Sequence, residues 1–393
     1  MNVPKLRFKE FTDVWKEYPL KYFTTPIKRK NINNESDLPL TISSLDGLVD
    51  QRTYFNKVVS SKDMSNYYLL KKGEFAYNKS YSVGFPFGSI KRLDKYNQGA
   101  LSSLYICFQV NNMNSDFIVK YFESPQWHKQ ISLCVAEGAR NHGLLNVNIN
   151  DFFSTKHFLP QLAEQEKIAN FLAIVDKKII NLENTITNLE NQKKGLLQQI
   201  FSQKLRFKDK NGNNYPNWEK KKLEDISNIT MGQSPDSDFV NTEKIGTPFL
   251  QGNAEFTNKY PIEKYWCTKP QKIANPTDIL LSVRAPVGAI NIANKKFCIG
   301  RGLSAISFNC NKLFGKYNLE FNLFQLIKKS QGSTFSSINK KDISEVILFI
   351  PCLEEQTKIA DFLSAFDRKL ENQKAQLEHW KQIKKGLLQQ MFV

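Results

Sequence analysis

The chain has 393 residues, enough for two or three domains that each bury a core of their own. Its 41% hydrophobic and 24% charged residues are typical of a globular protein, and no run of about 18 apolar residues predicts a membrane-spanning helix. The formal net charge of +17 indicates a polyanionic partner, most commonly nucleic acid. Because the N-terminus lacks the apolar core of a signal peptide, we expect a cytoplasmic protein.

The sequence lacks the spacings of common catalytic and metal sites. Its six cysteines form no CxxC pair and it has only four histidines, so we expect no metal site. No phosphate-binding loop, GxGxxG, HExxH or GxSxG motif occurs. Together with the repeated layout described below, the absence of these motifs favours a non-catalytic recognition protein that leaves the chemistry to its partners.

Residues 1–158 form the first predicted segment, a globular domain of short strands and helices. Residues 103–110 (SLYICFQV) have the composition of a strand. Residues 115–133 are expected to form one helix.

Residues 159–201 form the second predicted segment, one long helix. Pro160 lies just before the periodic pattern, and the acidic Glu164 and Glu166 suit the positive end of a helix dipole. Apolar residues then recur every three or four positions, as on an amphipathic helix or a coiled coil. A helix of about 40 residues is about 60 Å long.

Residues 202–350 form the third segment, a second globular domain. Residues 278–285 and 303–308 are predicted strands, and residues 316–330 a predicted helix. Each predicted helix follows a strand by a similar interval in its own half, which indicates that the two domains share a fold.

Residues 351–393 form the fourth segment, which repeats the second. Residues 160–201 and 351–392 align without a gap at an offset of 191, with 20 identities in 42 positions. A shorter repeat relates PKLRFKE at Pro4 to QKLRFKD at Gln203. The chain is thus two copies of one unit, each a globular part followed by a helix.

Two long amphipathic helices in one chain have to bury their apolar stripes. We expect them to pair with each other in antiparallel orientation; the alternative is that each packs on its own domain. The predicted pairing residues are Ile179, Leu182, Ile186, Leu189, Leu196, Leu370, Leu377, Trp380 and Leu387. Gly195 and Gly386 interrupt both helices, either for a close helix approach or bend or because the helix ends there. The predicted fold class is α+β: two similar globular domains, each a small mixed β-sheet with helices, separated by an antiparallel coiled coil with pseudo-twofold symmetry.

The positive charge lies in the globular segments, at +7 for residues 1–158 and +9 for residues 202–350, whereas the helical segments carry zero and +1. The globular domains are therefore expected to face the polyanion. Arg, Asn and Gln can read base edges, and Lys and Ser mostly contact phosphates. The candidate DNA-binding residues in predicted loops are Lys28, Arg29, Lys30, Arg52, Thr53, Asn78, Lys79, Tyr81, Arg140, Asn141, Gln233, Ser234, Gln251, Asn253, Arg284 and Arg301.

These features resemble the specificity subunits of type I restriction–modification systems. The matching motifs are the paired LxEQxKIAxFL helix starts at Leu162 and Leu353, the paired KKGLLQQ ends and the LRF entry segments. KKGEFAYNKS at Lys71 and DILLSVRAPVGAI at Asp278 look like strands of the family's recognition domains.

The resemblance implies two target-recognition domains (1–158 and 202–350) and two spacer helices (159–201 and 351–393). Each domain would read one half of a split DNA site. Two methyltransferase subunits would pack on this frame and methylate adenine, and restriction and translocase subunits could join them. S-adenosylmethionine, ATP and magnesium would belong to those partners, with no cofactor in this chain.

Two other interpretations stay open from the sequence. One is a stand-alone DNA-binding or architectural protein without enzymatic partners, which explains the charge but not the apolar stripes. The other is a scaffold whose basic domains bind an acidic protein partner.

Overall fold

The computed structural model describes residues 3–57, 60–135, 145–257, 260–330 and 337–393. The chain divides into two compact units. Unit 1 comprises Met1–Glu183 with Ala375–Val393, and unit 2 comprises Asn184–Lys374. Each unit therefore contains one globular part and a segment of each long helix.

Unit 1 is built on two four-stranded sheets and a two-stranded ribbon. Its strands are β1 (Lys16–Pro19), β2 (Thr24–Pro26), β3 (Pro39–Ser43), β4 (Gly47–Asp50), β5 (Tyr68–Lys71), β6 (Phe75–Asn78), β7 (Ser89–Arg92), β8 (Gln98–Leu101), β9 (Ile106–Val110) and β10 (Lys156–Leu159). Its helices are α1 (Leu20–Phe23), α2 (Gln51–Phe55), α3 (Ser115–Glu123), α4 (His128–Cys134) and α5 (Ile149–Ser154). The sheets have the strand orders β2-β9-β6-β7 and β4-β3-β8-β5, and β1 pairs with β10.

Helix α6 (Leu162–Phe201) follows and leads into unit 2. The strands of unit 2 are β11 (Glu219–Lys222), β12 (Ser227–Met231), β13 (Val240–Asn241), β14 (Thr247–Leu250), β15 (Tyr265–Cys267), β16 (Ile273–Ala274), β17 (Ile279–Ser282), β18 (Ile290–Ile292), β19 (Phe297–Ile299), β20 (Leu303–Phe308) and β21 (Ile347–Ile350). Its helices are α7 (Leu223–Ile226), α8 (Lys312–Ser330) and α9 (Lys340–Ser344), and α10 (Leu353–Gln390) leads back to unit 1.

The sheets of unit 2 repeat those of unit 1 strand for strand. The order β12-β20-β17-β18 matches β2-β9-β6-β7, and β15-β14-β19-β16 matches β4-β3-β8-β5, with β13 added at the edge. In each second sheet the central pair is parallel (β3 with β8, and β14 with β19) and its neighbours are antiparallel. The two globular parts therefore have the same fold although their sequences differ.

Each unit buries a large apolar core where its first sheet meets its helices. In unit 1, aromatic residues dominate this core, with Phe75 stacked on Phe108 at a ring distance of 5.5 Å and Tyr77 on Phe152 at 5.0 Å. In unit 2, aliphatic residues from β17 and β20 pack on Phe314 of α8. Helix residues belong to both cores, since Leu172 packs in unit 1 and Leu363 in unit 2.

Within each unit, the segments of α6 and α10 run antiparallel. In unit 1, Lys384 pairs with Asp176 at 2.7 Å and Lys381 with Glu183 at 2.8 Å. In unit 2, Lys193 pairs with Asp367 at 2.6 Å and Lys374 with Glu190 at 2.7 Å. In both, the residue number falls along one helix as it rises along the other.

The first turn of each long helix carries the same buried ion pair. Glu164 is fully buried and accepts two hydrogen bonds from Arg7 (2.7 and 2.8 Å) and one from Trp15 Nε1 (3.3 Å). Glu355 is equally buried, accepts two bonds of 2.8 Å from Arg206 and one of 3.0 Å from Trp218 Nε1. We call each Arg–Glu–Trp group a lock, because it fastens the LRF entry segment to the start of a helix.

Several sequence predictions need correction in detail. The single helix predicted for 115–133 is wrong, since α3 ends at Glu123 and α4 begins at His128, with Pro125 in the interruption. The strand predicted from Ser103 begins at Ile106, and the helix predicted from Lys316 begins at Lys312. Both long helices continue past their glycines, and a Cβ at Gly195 would meet nothing within 4 Å, so neither a helix end nor a close approach explains that glycine.

Candidate nucleic-acid interface

In unit 1, the strand ends of both sheets surround a cleft of about 580 Å³. The β3–β4 hairpin, helix α2 and the connection after β6 form its walls, and its lining includes Ser44, Leu45, Tyr54, Phe55, Asn78 and Tyr81. Among the lining residues only Asp46 carries a formal charge. We call this the unit 1 cleft.

Hydroxyl groups link the walls of the unit 1 cleft. Ser44 Oγ lies 3.1 Å from Ser82 Oγ and 3.2 Å from Ser89 Oγ, so the hairpin tip is bonded to the β6–β7 connection. The side chains at the rim are apolar or aromatic and open to solvent: Leu45 is 86% exposed and Val83 91%. Exposed apolar side chains beside hydroxyls can contact thymine methyl groups and base edges.

The structure brings only some of the unit 1 candidates to this cleft. Asn78 and Tyr81 line it, and Arg52 and Thr53 lie on α2 beside the lining residue Tyr54. Lys79 follows Asn78 but uses its carbonyl to bind Leu145 N at 2.9 Å. Arg140 and Asn141 lie outside the described residues.

Three of the unit 1 candidates, Arg29, Lys30 and Arg52, have partners within the chain. Arg29 donates both to the buried carboxylate of Glu74 (2.7 and 2.9 Å) and to Leu69 O. Lys30 lies 4.1 Å from the ring centre of Tyr68 and donates to Asn66 O, while Lys28 is exposed. The Nε and Nη2 atoms of Arg52 donate to the carboxylate of Asp50 at 3.0–3.3 Å, and these hydrogen bonds lower the pKa of Asp50.

In unit 2, a cleft of about 540 Å³ lies at the corresponding strand ends, the unit 2 cleft. Ser234 and Gln251 line it together with Asn241, Phe249 and Tyr265. Gln233 precedes Ser234 on the same turn, and Asn253 begins a short 3₁₀ turn just after Gln251.

Hydrogen bonds between the strand ends bring Arg301 and Arg284 to the same rim. Arg301 N donates to Ser234 Oγ at 3.3 Å, and Gln233 N donates to Ile299 O at 2.9 Å. Val283 N donates to Gly302 O at 2.9 Å, which places Arg284 one residue from that contact. The unit 2 candidates Gln233, Ser234, Gln251, Arg284 and Arg301 therefore come together.

Sequence reasoning missed most of the lining of both clefts. The LDG turn at Leu45 between two β-type runs is a hairpin signal that could have placed Ser44 and Leu45 at a strand end. For Asn241 and Tyr265 of the unit 2 cleft, no local signal exists, because the sheet order that joins β13 to β15 is not local in sequence.

The described residues also bear on metal binding and on membrane spanning. Among the described residues, no group of three His, Cys, Asp or Glu side chains is placed to hold a metal ion. No helix in the described ranges combines the length and apolar character needed to cross a membrane.

Comparison with known proteins identifies the family of the chain. Residues 215–379 match the family model described as the type I restriction modification DNA specificity domain. Over 282 residues, the chain is 36% identical to a putative type I restriction enzyme MjaX specificity subunit of Methanocaldococcus jannaschii. The chain belongs to the type I restriction–modification specificity subunits. The match covers 69% of this chain and 65% of that relative, slightly less than two thirds of its length.

Solved structures of this family have a similar fold. One, from a study of complex assembly and conformational transition of the type I R-M system, superposes with a TM-score of 0.61 at 25% identity, covering 95% of this chain and 96% of the other. The S subunit from M. genitalium gives 0.60 at 16% identity, covering 100% and 99%. This member of the specificity-subunit family is thus similar to its relatives along nearly its whole length.

Proposed function

We propose that this specificity subunit binds double-stranded DNA and reads a two-part target, one half with each unit. The observation that carries the proposal is that one two-sheet fold is built twice, with different side chains at equivalent strand ends. Strand ends and loops on a rigid sheet are where binding residues usually lie. Two domains with the same fold and different side chains at their strand ends would read different half-sites.

The candidate contact residues differ in chemistry between the units. Asn78, Tyr81 and the hydroxyls of the unit 1 cleft suit hydrogen bonds and apolar contacts to bases. Gln233, Ser234, Gln251, Arg284 and Arg301 give unit 2 charged and amide donors. Lys28, Thr53 and Asn253 would contact phosphates or sugars near these rims.

Helices α6 and α10 would form the spacer between the two recognition domains, as an antiparallel coiled coil. The interhelical ion pairs within each unit support this role. In α6, Ile179, Leu182, Ile186 and Leu189 are buried, and Leu196 is half-buried. In α10, Leu370, Leu377, Trp380 and Leu387 are half-buried.

The chain would contribute recognition and leave the chemistry to its partners. We propose that two methyltransferase subunits bind it and methylate adenine in each half-site, and that restriction and translocase subunits can join them. S-adenosylmethionine, ATP and magnesium would be bound by those subunits. The assembly would act in the cytoplasm.

Co-expression with a methyltransferase subunit tests the proposal. The expected result is a stable complex that methylates adenine only within one two-part sequence, and no methylation by either protein alone. A chain that binds DNA but forms no such complex would favour a stand-alone architectural protein. Methylation by the isolated chain would contradict its non-catalytic role.

A domain exchange tests the assignment of half-sites. Replacing residues 21–158 by the same segment of a relative should change one half of the methylated sequence and leave the other half and the spacing intact. The reciprocal exchange of residues 224–350 is the matched control and should change the other half. A change in both halves from either exchange would contradict modular recognition.

A further inference from the structure

The arginines of this chain are few, and most of those that the structure describes have a partner. Only nine of the 55 basic residues are arginine. Five of them make at least two contacts each with carboxylate oxygens; they are Arg7, Arg29, Arg52, Arg92 and Arg206. Arg368 donates to Ser364 Oγ, and Arg140 lies outside the described residues. The chain thus uses lysine for general charge and arginine where a planar fork meets two acceptors.

Arg284 and Arg301 differ from these. Both are exposed, and within the described ranges neither guanidinium group makes a hydrogen bond or an ion pair. Both lie on the rim of unit 2, at the end of β17 and just before β20. Two unpaired guanidinium groups on one edge are free to bind an external partner that offers each of them two acceptors.

Glycines fix the backbone that carries Arg301. A Cβ at Gly300 or Gly302 would lie 3.0 or 2.8 Å from Gln251 O, and one at Gly232 would lie 2.2 Å from Gly300 O. Larger residues there would force the strand ends apart. Arg301 is therefore held beside Gln251 by a close backbone contact that only glycine permits.

A second set of bonds holds the neighbouring turns. Gly300 N donates to Leu250 O at 2.8 Å, and Gly232 N donates to Leu303 O at 2.9 Å. With the bond from Arg301 N to Ser234 Oγ, these contacts join the ends of β12, β14, β19 and β20. The rim therefore presents its arginines from a rigid backbone and not from a free loop.

We propose that Arg284 and Arg301 read guanine, so that the half-site bound by unit 2 contains guanine. The proposal rests on the DNA-reading function proposed above. In the major groove, guanine presents N7 and O6 as two adjacent acceptors, the pair that one guanidinium group fits. The amides of Gln251 and Gln233 on the same rim suit the N6 and N7 atoms of adenine.

Unit 1 lacks the equivalent side chains. The connection between β8 and β9, which corresponds to that of Arg301, contains Ser102, Ser103 and the 67% exposed Leu104. Ser80, two residues after the end of β6, is the position that corresponds to Arg284, two residues after the end of β17. Arg29 and Arg52 are engaged with Glu74 and Asp50. The described rim of unit 1 therefore has no arginine at the positions of Arg284 and Arg301.

Selection from a library of randomised duplexes, by the complex of the full chain with its methyltransferase partner, tests the proposal. The variants are Arg301→Lys and Arg284→Lys, which keep the charge but lose the fork, and Arg52→Lys serves as the paired-arginine control. Each rim variant should lower the preference for guanine at one position of one half-site by about 5- to 150-fold. Arg52→Lys should leave all guanine preferences unchanged, and thermal melting should show that the exposed rim variants stay folded.

The outcomes separate this proposal from the proposed function. A specific target in which the positions altered by Arg301→Lys and Arg284→Lys are not guanine would overturn the guanine assignment and leave DNA recognition standing. Equal loss of affinity for all sequences in Arg301→Ala and Arg284→Ala, with a weaker salt dependence, would identify phosphate contacts and also overturn it. A wild-type complex with no sequence preference would overturn the proposed function itself.

Discussion

The two units of this chain agree in sheet topology and in their buried ion pairs and differ in the residues at their exposed rims. Both have the same sheet orders, the same parallel central pair and the same Arg–Glu–Trp lock. Even their buried acids correspond, since Glu74 accepts from Lys71 N at 2.6 Å and Asp278 from Asn275 N at 2.8 Å. Both clefts are lined by hydroxyls and aromatics, and their rims differ in charge. In the described lining Asp46 is the charged residue of the unit 1 cleft, whereas Glu243 lines the unit 2 cleft and Arg284 and Arg301 lie on the strand ends beside it.

This contrast has a physical basis. A buried charge or amide has to keep its partner, because losing one leaves the other unsatisfied at a cost of several kcal/mol. An exposed rim residue is hydrated when unbound, so its identity has little effect on folding. The fold can therefore stay constant while the chemistry at its edge changes, which is what the proposed reading of two different half-sites would require.

The largest expected effect on stability comes from removing the buried glutamate of a lock. Glu355→Ala removes the carboxylate that binds Arg206 and Trp218, and breaking a buried pair in this way typically costs about 3–5 kcal/mol. Glu164→Ala should cost about the same in unit 1, because Glu164 has the equivalent partners Arg7 and Trp15. Urea unfolding of the full chain measures both.

The neighbouring glutamates are the matched controls. Glu354 and Glu166 lie in the same helical turns but are exposed, so replacing either by Ala should change stability by no more than about 0.5 kcal/mol. If Glu164→Ala and Glu355→Ala differed by more than about 2 kcal/mol, the two locks would not be equivalent and the structural repeat would be limited to topology.

The next effect compares the two long helices within unit 1. Leu182 of α6 is 4% exposed, whereas Leu377 of α10 is half-buried. Leu182→Ala should cost about 2–3 kcal/mol and Leu377→Ala about 1 kcal/mol, since the cost scales with the apolar area and cavity lost. The urea midpoint measures both, and an equal or larger effect at Leu377 would show that α10 is more deeply buried than α6.

A smaller effect concerns the charged cluster of unit 1. Asp176 accepts from Lys120 and Lys384; burial raises the pKa of its carboxyl, but the two lysines outweigh it and hold the pKa below the ordinary 3.8. Because the pKa of Asp176 is lower in the folded than in the unfolded chain, its ionised carboxylate stabilises the fold above about pH 4. This stabilisation is lost as the pH falls through the pKa of the folded state. Asp176→Asn should therefore cost roughly 1–2 kcal/mol at pH 7 and progressively less toward pH 3.

Unfolding of wild type and variant at matched pH values provides the measurement. Glu123 also bonds Lys384, at 2.9 Å, so Lys384 keeps one carboxylate in the variant and the structure should survive. A stability difference that stayed constant between pH 7 and pH 3 would show that the Asp176 carboxylate is not the titrating group.

The sequence predicted the repeated parts of the structure well because their signals are local. The acidic helix starts, the apolar spacing and the LRF segments each act within a few turns of helix, and α6 and α10 begin two residues after Pro160 and Pro351. The exact strand LSAISF was likewise bounded by its own turn residues. The partner of Glu164, however, was invisible, because Arg7 lies 157 residues away in sequence.

The rims could be predicted only in part. Arg284 and Arg301 were singled out as exposed loop residues, but their proximity depends on the pairing of β17 with β20, which sequence spacing does not specify. Arg29 looked like a DNA contact because nothing near it in sequence revealed Glu74 as its partner. Recognition residues and structural ion pairs use the same side chains, and only the tertiary structure tells them apart.

The smallest effect tests the glycines shared by the two helices. Gly195 lies inside α6 with open space around its Cβ position, and Gly386 inside α10 has only Gln390 Nε2, 3.8 Å away. Alanine at either site should therefore stabilise the chain by about 0.5–1 kcal/mol, because glycine loses more conformational entropy in a helix.

Gly246→Ala is the control in unit 2 and should destabilise, since Gly246 has a φ of +98° and its Cβ would lie 2.3 Å from Cys267 O. Loss of stability in Gly195→Ala or Gly386→Ala would show that the twin glycines serve a bend or contact in the folded chain. A gain in stability with weaker binding of the proposed methyltransferase partner would assign them to the surface that binds it.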